Sequence, residues 1–303
     1  MGNVEIMLIL FAIVIAGYTA CKLGYMNEEF DKKLSSIIVD ITCPALILSS
    51  VMDDQLPDRS LIIPLLIIST LTYIILTGIA LYIPKLITGD RKEEGIIGFA
   101  TMFGNVGFIG YPIAASIFGH QAIFYAAILN VANTFFVFTI GKSLITGSEH
   151  KLRFTPRTLF CPGLVAAYLS ILIVALGISD IPQIISRPIT MVGNITVPAS
   201  LLVIGSAMAR LPKKYMLGNR KVYITTVIRL FIVPVSFYFL FSFCGFPHIV
   251  TGLNAIIIGM PVASFGTIFC LRYGQDATLM TEITFLTSIA SIASIPLLAM
   301  IVA

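Results

Sequence analysis

The chain has 303 residues, of which 57% are hydrophobic and only 11% are charged, and its formal net charge at pH 7 is +4. A soluble globular domain carries about 25% charged residues, so this composition excludes an ordinary water-facing surface. The mean hydropathy is +0.99, and the long apolar stretches that recur along the sequence predict an integral membrane protein.

Polar clusters divide the sequence into ten apolar segments, each close to the roughly 20 residues that a transmembrane helix needs. In chain order, the predicted helices are residues 4–22, 34–52, 60–84, 95–118, 122–146, 158–178, 184–208, 222–244, 251–272 and 278–302. The first segment lacks a basic n-region and a small-residue cleavage site, which favours a retained helix over a signal peptide. Because the connections are short, we predict an all-α integral membrane fold of ten transmembrane helices without a separate soluble domain.

Lysine and arginine predict the orientation of these helices, because cytoplasmic connections carry an excess of both. If the odd-numbered connections face the cytoplasm, almost all of the 19 basic residues lie on that side. Only Arg59 and Arg187 lie on the opposite side, and Arg229 lies within the eighth helix, where its side chain could extend to the interface. Both termini are therefore predicted to be extracytoplasmic, in the cell (inner or plasma) membrane. Orientation accounts for the positive charge, so no nucleic-acid partner is expected.

The second half of the sequence echoes the first. Residues 118–122 (FGHQA) recur as 273–277 (YGQDA), and residues 44–48 (PALIL) recur as 198–202 (PASLL), at offsets of 155 and 154. Five helices per half is an odd number, so the second half enters the membrane from the opposite side and forms an inverted repeat. Chance similarity between apolar segments is the alternative. The predicted organisation, within one membrane domain, is a first repeat, a cytoplasmic linker and a second repeat at 1–148, 149–157 and 158–303.

Glycine and proline interrupt the fourth and ninth predicted helices, at 103–112 (FGNVGFIGYP) and 259–267 (GMPVASFGT). Interrupted helices at corresponding positions indicate a transporter's binding site, because irregular backbone in a bilayer is confined to buried or cavity-lining positions. The N–H groups that begin each second half-helix favour an anion such as a carboxylate. The alternative is that these glycines only allow close helix packing.

Two sets of residues follow from these interruptions. The predicted substrate-binding residues are Gly104, Asn105, Val106, Gly107, Asn130, Pro261, Val262 and Ser264. The predicted helix breaks and crossover residues are Pro44, Pro112, Pro198 and Gly266. Asn130 and Asn133 share one face of the fifth helix, where they either line the cavity or join helices by hydrogen bonds.

Ionisable residues within the bilayer are functional by default. Asp40 is a candidate for proton or cation coupling, with pairing to Arg229 as the competing interpretation. Glu282 is a second candidate for ion coupling, with an interfacial position as the alternative. The hydroxyls between 281 and 291 either form a sodium site or bind carbonyls of their own helix. The five cysteines form no C-x-x-C pair and the three histidines have no ligand spacing, so no metal site is predicted.

Three segments resemble the auxin efflux carrier family. Residues 104–112 (GNVGFIGYP) are similar to the family's fourth-helix motif P-N-x-x-x-x-G-x-P, with Gly104 where many members have proline. Met260-Pro261 and the helix that ends at 272–274 (RYG) resemble the ninth-helix crossover, and 43–46 (CPAL) is similar to the second-helix L-P-A-L. The resemblance covers essentially the whole chain, which lacks the long central cytoplasmic loop of plant members and so looks like a compact bacterial member.

The resemblance implies a scaffold bundle, a transport bundle with crossed fourth and ninth helices, elevator-like movement of organic anions, and a homodimer through the scaffold helices. Bacterial relatives are commonly called malate or malonate permeases. We therefore predict a secondary active transporter for a small organic anion such as a carboxylate, with the lipid bilayer as its surroundings. No cofactor is expected, apart from a proton or sodium as the coupling ion, and no enzymatic activity. The alternatives are a sodium-coupled carrier like the bile-acid symporters and a non-transporting membrane sensor or channel.

Overall fold

The computed structural model describes residues 3–52, 56–147, 160–210, 219–263, 265–273 and 275–302. Within these ranges the regular structure is helical, apart from one antiparallel bridge between Gly104 and Val262. The all-helical fold class is therefore confirmed. The predicted linker at 149–157 lies outside the described residues.

Ten helical segments, here named α1 to α10, lie in these ranges, and α4 and α9 each consist of two halves. Their bounds are α1 Asn3–Lys22, α2 28–49, α3 Arg59–Ile87, α4a Arg91–Met102, α4b Val106–Phe118, α5 Ala122–Thr146, α6 Pro162–Leu176, α7 Gln183–Ala209, α8 Arg220–Phe243, α9a His248–Ile258, α9b Phe265–Arg272 and α10 Thr278–Val302. Among the described residues, α3, α5, α7, α8 and α10 are long and apolar enough to cross a bilayer as single helices. The predicted total of ten membrane spans stays a prediction.

Three prolines in these helices follow wider, π-helical turns. Pro44, Pro112 and Pro234 each come two residues after such a turn, at Ile38–Thr42, Val106–Gly110 and Ile228–Ile232. Proline has no N–H and its ring clashes with the carbonyl four residues earlier, and a wider turn relieves both problems. Consequently α2 continues through Pro44, whereas the sequence had suggested a break at this residue.

The other predicted breaks are displaced by a few residues. In α4 the interruption falls at 103–105, so Pro112 lies inside α4b. In α7 the helix is interrupted by a turn at 194–195, and Pro198 lies in the first turn after it. Gly266 is the second residue of α9b. Pro112, Pro198 and Gly266 therefore each lie near an interruption, but the interruption itself falls at other residues.

Helix contacts divide the fold into two groups. The four-helix group consists of α1, α2, α6 and α7, in which α1 packs along α7 and α2 packs on α6 and α7. Small residues allow the close approach of α1 and α7, since a Cβ at Gly205 would lie 1.9 Å from the Val14 carbonyl oxygen. The six-helix group consists of α3 to α5 and α8 to α10, and its members α4b, α5 and α10 contact the four-helix group.

Candidate functional site

The interruptions of α4 and α9 lie side by side and pair with each other. The Asn105 N–H donates to the Pro261 carbonyl at 2.8 Å, and the Ala263 N–H donates to the Phe103 carbonyl at 3.1 Å. These two bonds form the bridge between Gly104 and Val262. Backbone groups freed by a helix break need partners inside a membrane, and here each break supplies them to the other. We call residues 103–105 and 261–263 the crossover.

Asn105 begins the second half of α4. Its side-chain Oδ1 accepts from the Phe108 N–H at 3.3 Å, so the residue caps α4b. Asn105 is half-buried between the buried residues Gly104 and Val106. Among the described residues its Nδ2 has no hydrogen-bond partner, so one amide donor remains available to a ligand.

Glycines near the crossover have two different surroundings. Among the described residues, no atom lies within 4 Å of a Cβ at Gly107, so this position in the first turn of α4b faces open space. A Cβ at Gly266 would lie 2.6 Å from the Met280 Sδ and 2.8 Å from the Phe99 Cε1. Gly266 therefore permits close packing of α9b, whereas Gly107 lies where a ligand could approach.

Several predicted site residues do not present their side chains to a ligand. Val106 and Val262 are buried, with 2% and 1% of their surfaces exposed, and the Val262 N–H donates to the Thr287 Oγ1 of α10 at 3.2 Å. Pro261 contributes its carbonyl to the crossover. Ser264 lies outside the described residues. Among the described residues of the predicted set, Asn105, Gly107 and Asn130 are half-buried and therefore more accessible than the valines.

Arg229 of α8 lies at the crossover, which the sequence reasoning missed. The expectation that its side chain extends to the interface is wrong, because only 1% of Arg229 is exposed. Its Nε donates to the Met260 carbonyl at 3.1 Å and its Nη1 donates to the Thr101 carbonyl at 2.9 Å. The signal in the sequence was its position, since Arg229 is the one basic residue well inside a predicted helix.

The two candidate acids for ion coupling lie elsewhere. Asp40 is exposed in the π-helical turn of α2, so it does not pair with the buried Arg229. Glu282 is half-buried on α10. Among the described residues no acidic side chain forms an ion pair with Arg229. The positive charge at the crossover therefore has no carboxylate partner within the described protein.

A chain of side-chain hydrogen bonds supports the crossover from α3 and α5. The Tyr73 hydroxyl donates to the Asn133 Oδ1 at 2.8 Å, and the Asn133 Nδ2 donates to the Asn130 Oδ1 at 2.8 Å. The Asn130 Nδ2 in turn donates to the Tyr111 hydroxyl of α4b at 3.0 Å. The Tyr73 ring stacks on the crossover residue Phe103, with ring centroids 6.1 Å apart. Both asparagines thus join helices by hydrogen bonds, and half-buried Asn130 is the more accessible of the two.

A cavity of about 80 Å³ lies between α1 and α7 of the four-helix group and α4b and α10 of the six-helix group. Its lining residues are Val14, Ile109, Ile113, Leu201, Ile204, Met208, Ser288, Ser291, Ile292, Ile295 and Pro296. The hydroxyls of Ser288 and Ser291 donate to carbonyls of α10 itself, at 2.7 Å each. In the described ranges no cluster of metal-binding side chains was found. The predicted sodium site among these hydroxyls stays a prediction.

Comparisons with known proteins cover nearly the whole chain. A family model described as membrane transport protein matches residues 3–158 and 151–299. An uncharacterized transporter of Methanocaldococcus jannaschii is 23% identical over 290 residues, which cover 94% of each chain. An uncharacterized transporter of Methanothermobacter thermautotrophicus is 25% identical over 306 residues, which cover 98% of this chain and 97% of the relative.

Proposed function

This chain belongs to the membrane transport protein family, the auxin efflux carrier family that its motifs resemble, and we propose that it is a secondary carrier for a small organic anion. The family and the two relatives are transporters, and the chain is a multi-pass membrane protein. The substrate class and the alternating-access mechanism are our proposal.

The observation that carries the proposal is the paired interruption of α4 and α9. At the crossover, half-buried Asn105 has an unused Nδ2 donor beside the N-terminal turn of α4b. A helix N-terminus carries roughly half of an elementary positive charge, which favours a carboxylate. Gly107, in the same turn, leaves the space that a ligand would need.

Helix contacts support an inverted repeat, in which α1 to α5 correspond to α6 to α10. The contact of α1 with α7 has its counterpart in the contact of α6 with α2. Likewise α3 packs on α4a and α5, and α8 packs on α9a and α10. Corresponding segments also meet twice, at the crossover and where α7 packs against α2, since a Cβ at Gly193 would lie 2.8 Å from the Leu46 Cα. Equivalent elements in contact are expected near a two-fold axis in the membrane plane.

Alternating access then follows from the two helix groups. In such carriers one helix group moves as a rigid body against the other. The crossover belongs to the six-helix group, and the cavity between α1, α4b, α7 and α10 lies at the boundary of the two groups. We propose that the substrate passes along this boundary while it is held at Asn105.

Two substitutions of Asn105 test the site. Asn105→Ala removes the Nδ2 donor and the cap of α4b, whereas Asn105→Asp retains the cap and adds a negative charge. Losing a hydrogen bond to a charged ligand costs about 1.5–3 kcal/mol, so we expect at least about tenfold weaker carboxylate binding in Asn105→Ala. In Asn105→Asp we expect binding to be lost while the melting temperature is kept.

The measurement is a thermal-shift and binding series on purified protein in nanodiscs, with lactate, malonate, malate and neutral malonamide as probes. Asn194→Ala is the matched control, because Asn194 is exposed in the α7 turn. Unchanged carboxylate affinity in both Asn105 variants would remove this residue from the site. Saturable counterflow of a bound probe in proteoliposomes would distinguish a carrier from a channel or sensor.

A further inference from the structure

The Arg229 guanidinium lies directly against the backbone of the crossover. A Cβ at Gly104 would be 2.2 Å from the Arg229 Nη2, so only glycine leaves room for the guanidinium in this position. Two of its three nitrogens donate to backbone carbonyls, and Nη2 has no hydrogen-bond partner among the described residues. A buried, charged side chain without an anionic partner is costly unless another group supplies the counter-charge.

The two carbonyls that Arg229 binds lie at equivalent places. Thr101 is in the last turn of α4a, and Met260 follows the end of α9a by two residues. Each helix C-terminus carries roughly half of an elementary negative charge, so the two ends together match the single positive charge of Arg229. Arg229 therefore neutralises the negative ends of both interrupted helices.

This arrangement leaves the partial positive charges at the N-termini of α4b and α9b uncompensated. An interrupted helix normally presents a negative end and a positive end side by side, and their partial charges cancel over a short distance. With the negative ends neutralised, the N-termini of α4b and α9b contribute roughly half of a positive charge each. The crossover thus has a net charge of about +1 by the same arithmetic.

We propose that Arg229 determines the anion selectivity of the crossover and that the site takes ligands with one net negative charge, such as a monocarboxylate. This inference rests on the proposed function and assigns the substrate class. Arg229 acts through the ends of α4a and α9a and does not itself need to touch the ligand. Because its hydrogen bonds tie it to both halves of the crossover, the charge moves together with the site.

The competing role for Arg229 is purely structural, as a hydrogen-bonding tie between two helix ends. Two variants distinguish charge from hydrogen bonding. Arg229→Lys retains the positive charge but replaces the planar guanidinium, and Arg229→Gln retains an N–H donor but removes the charge. The probes are lactate, its neutral amide lactamide, and malonate, which is a dianion near neutral pH.

Binding to purified protein in nanodiscs is measured for each probe, together with the melting temperature without a probe. We expect the wild type to bind lactate more tightly than lactamide or malonate. We expect Arg229→Lys to retain the preference for lactate over lactamide. We expect Arg229→Gln to bind lactate at least about tenfold more weakly and to lose this preference, because a single fixed charge acts strongly in a low-dielectric site.

The inference is overturned if Arg229→Gln discriminates between lactate and lactamide as the wild type does. If Arg229→Gln does not fold, Arg229→Lys tests the inference instead. A folded lysine variant without a preference for lactate over lactamide would overturn the inference, because the positive charge would then be insufficient for selectivity. A wild type that binds none of the carboxylate probes would instead contradict the proposed function. The two failures are therefore distinguishable.

Discussion

Gly104→Ala tests the contact between the crossover and Arg229 most directly. The added methyl group would lie 2.2 Å from the Arg229 Nη2, and the Met260 carbonyl oxygen and Cβ are 3.1 and 3.2 Å away. The φ angle of Gly104 is not positive, so alanine is tolerated by the backbone itself. The cost therefore arises from crowding, and the guanidinium cannot retreat without loosening its bonds to Thr101 and Met260.

The magnitude follows from which group yields. Overpacking a filled interior costs about 1–3 kcal/mol, and losing one hydrogen bond of a charged group costs about 1.5–3 kcal/mol. We expect Gly104→Ala to lower the free energy of unfolding by about 2 kcal/mol, the middle of these ranges. The matched control is Gly107→Ala, three residues later, where a Cβ meets no atom of the described residues within 4 Å and φ is not positive. Alanine there is expected to be neutral or stabilising by about 0.4–1 kcal/mol.

Thermal melting and denaturant titration of the purified protein in detergent measure both variants. A double-mutant cycle with Arg229→Lys locates the clash, because a side chain without Nη2 makes room for the methyl group. We expect a coupling energy of about 0.5–3 kcal/mol between positions 104 and 229. Equal effects of the two alanine substitutions, or strictly additive effects in the cycle, would refute the contact.

Two further predictions concern groups that support the site. Tyr73→Phe leaves the Asn133 Oδ1 without its donor and should lower the free energy of unfolding by about 1–3 kcal/mol in melting experiments. Tyr82→Phe, at a residue that is 70% exposed, should be neutral. Equal effects of the two variants would contradict the chain of hydrogen bonds from Tyr73 to Tyr111. Glu93, just before the predicted fourth span, accepts hydrogen bonds from Lys221 and Thr88, which lower the pKa of its carboxyl below the ordinary value of 4.5. A lowered pKa stabilises the fold above the unfolded-state pKa, and this stabilisation is lost as the pH falls through the folded-state value. Glu93→Gln should therefore melt below the wild type at neutral pH, with the gap closing on acidification below about pH 4; a gap independent of pH would contradict the Lys221 contact.

The sequence by itself determined the class of the fold and the location of the interruptions in α4 and α9. A bilayer requires long apolar helices with satisfied backbone groups, so the composition and the recurring apolar segments predicted an all-helical membrane protein. Glycine and proline at 103–112 and 259–267 indicated where α4 and α9 leave the helix, because few other residues are compatible with such breaks inside a membrane. The family resemblance rested on the same segments.

Only the tertiary structure decided which residues meet there. Gly107 and Gly266 look alike in the sequence, yet one faces open space and the other is pressed against Met280 and Phe99. Arg229 was expected at the interface, but its carbonyl partners lie 31 and 128 residues away along the chain. Local sequence determines whether a segment is helical, whereas the surroundings of a buried charge depend on helices brought together from both halves of the chain.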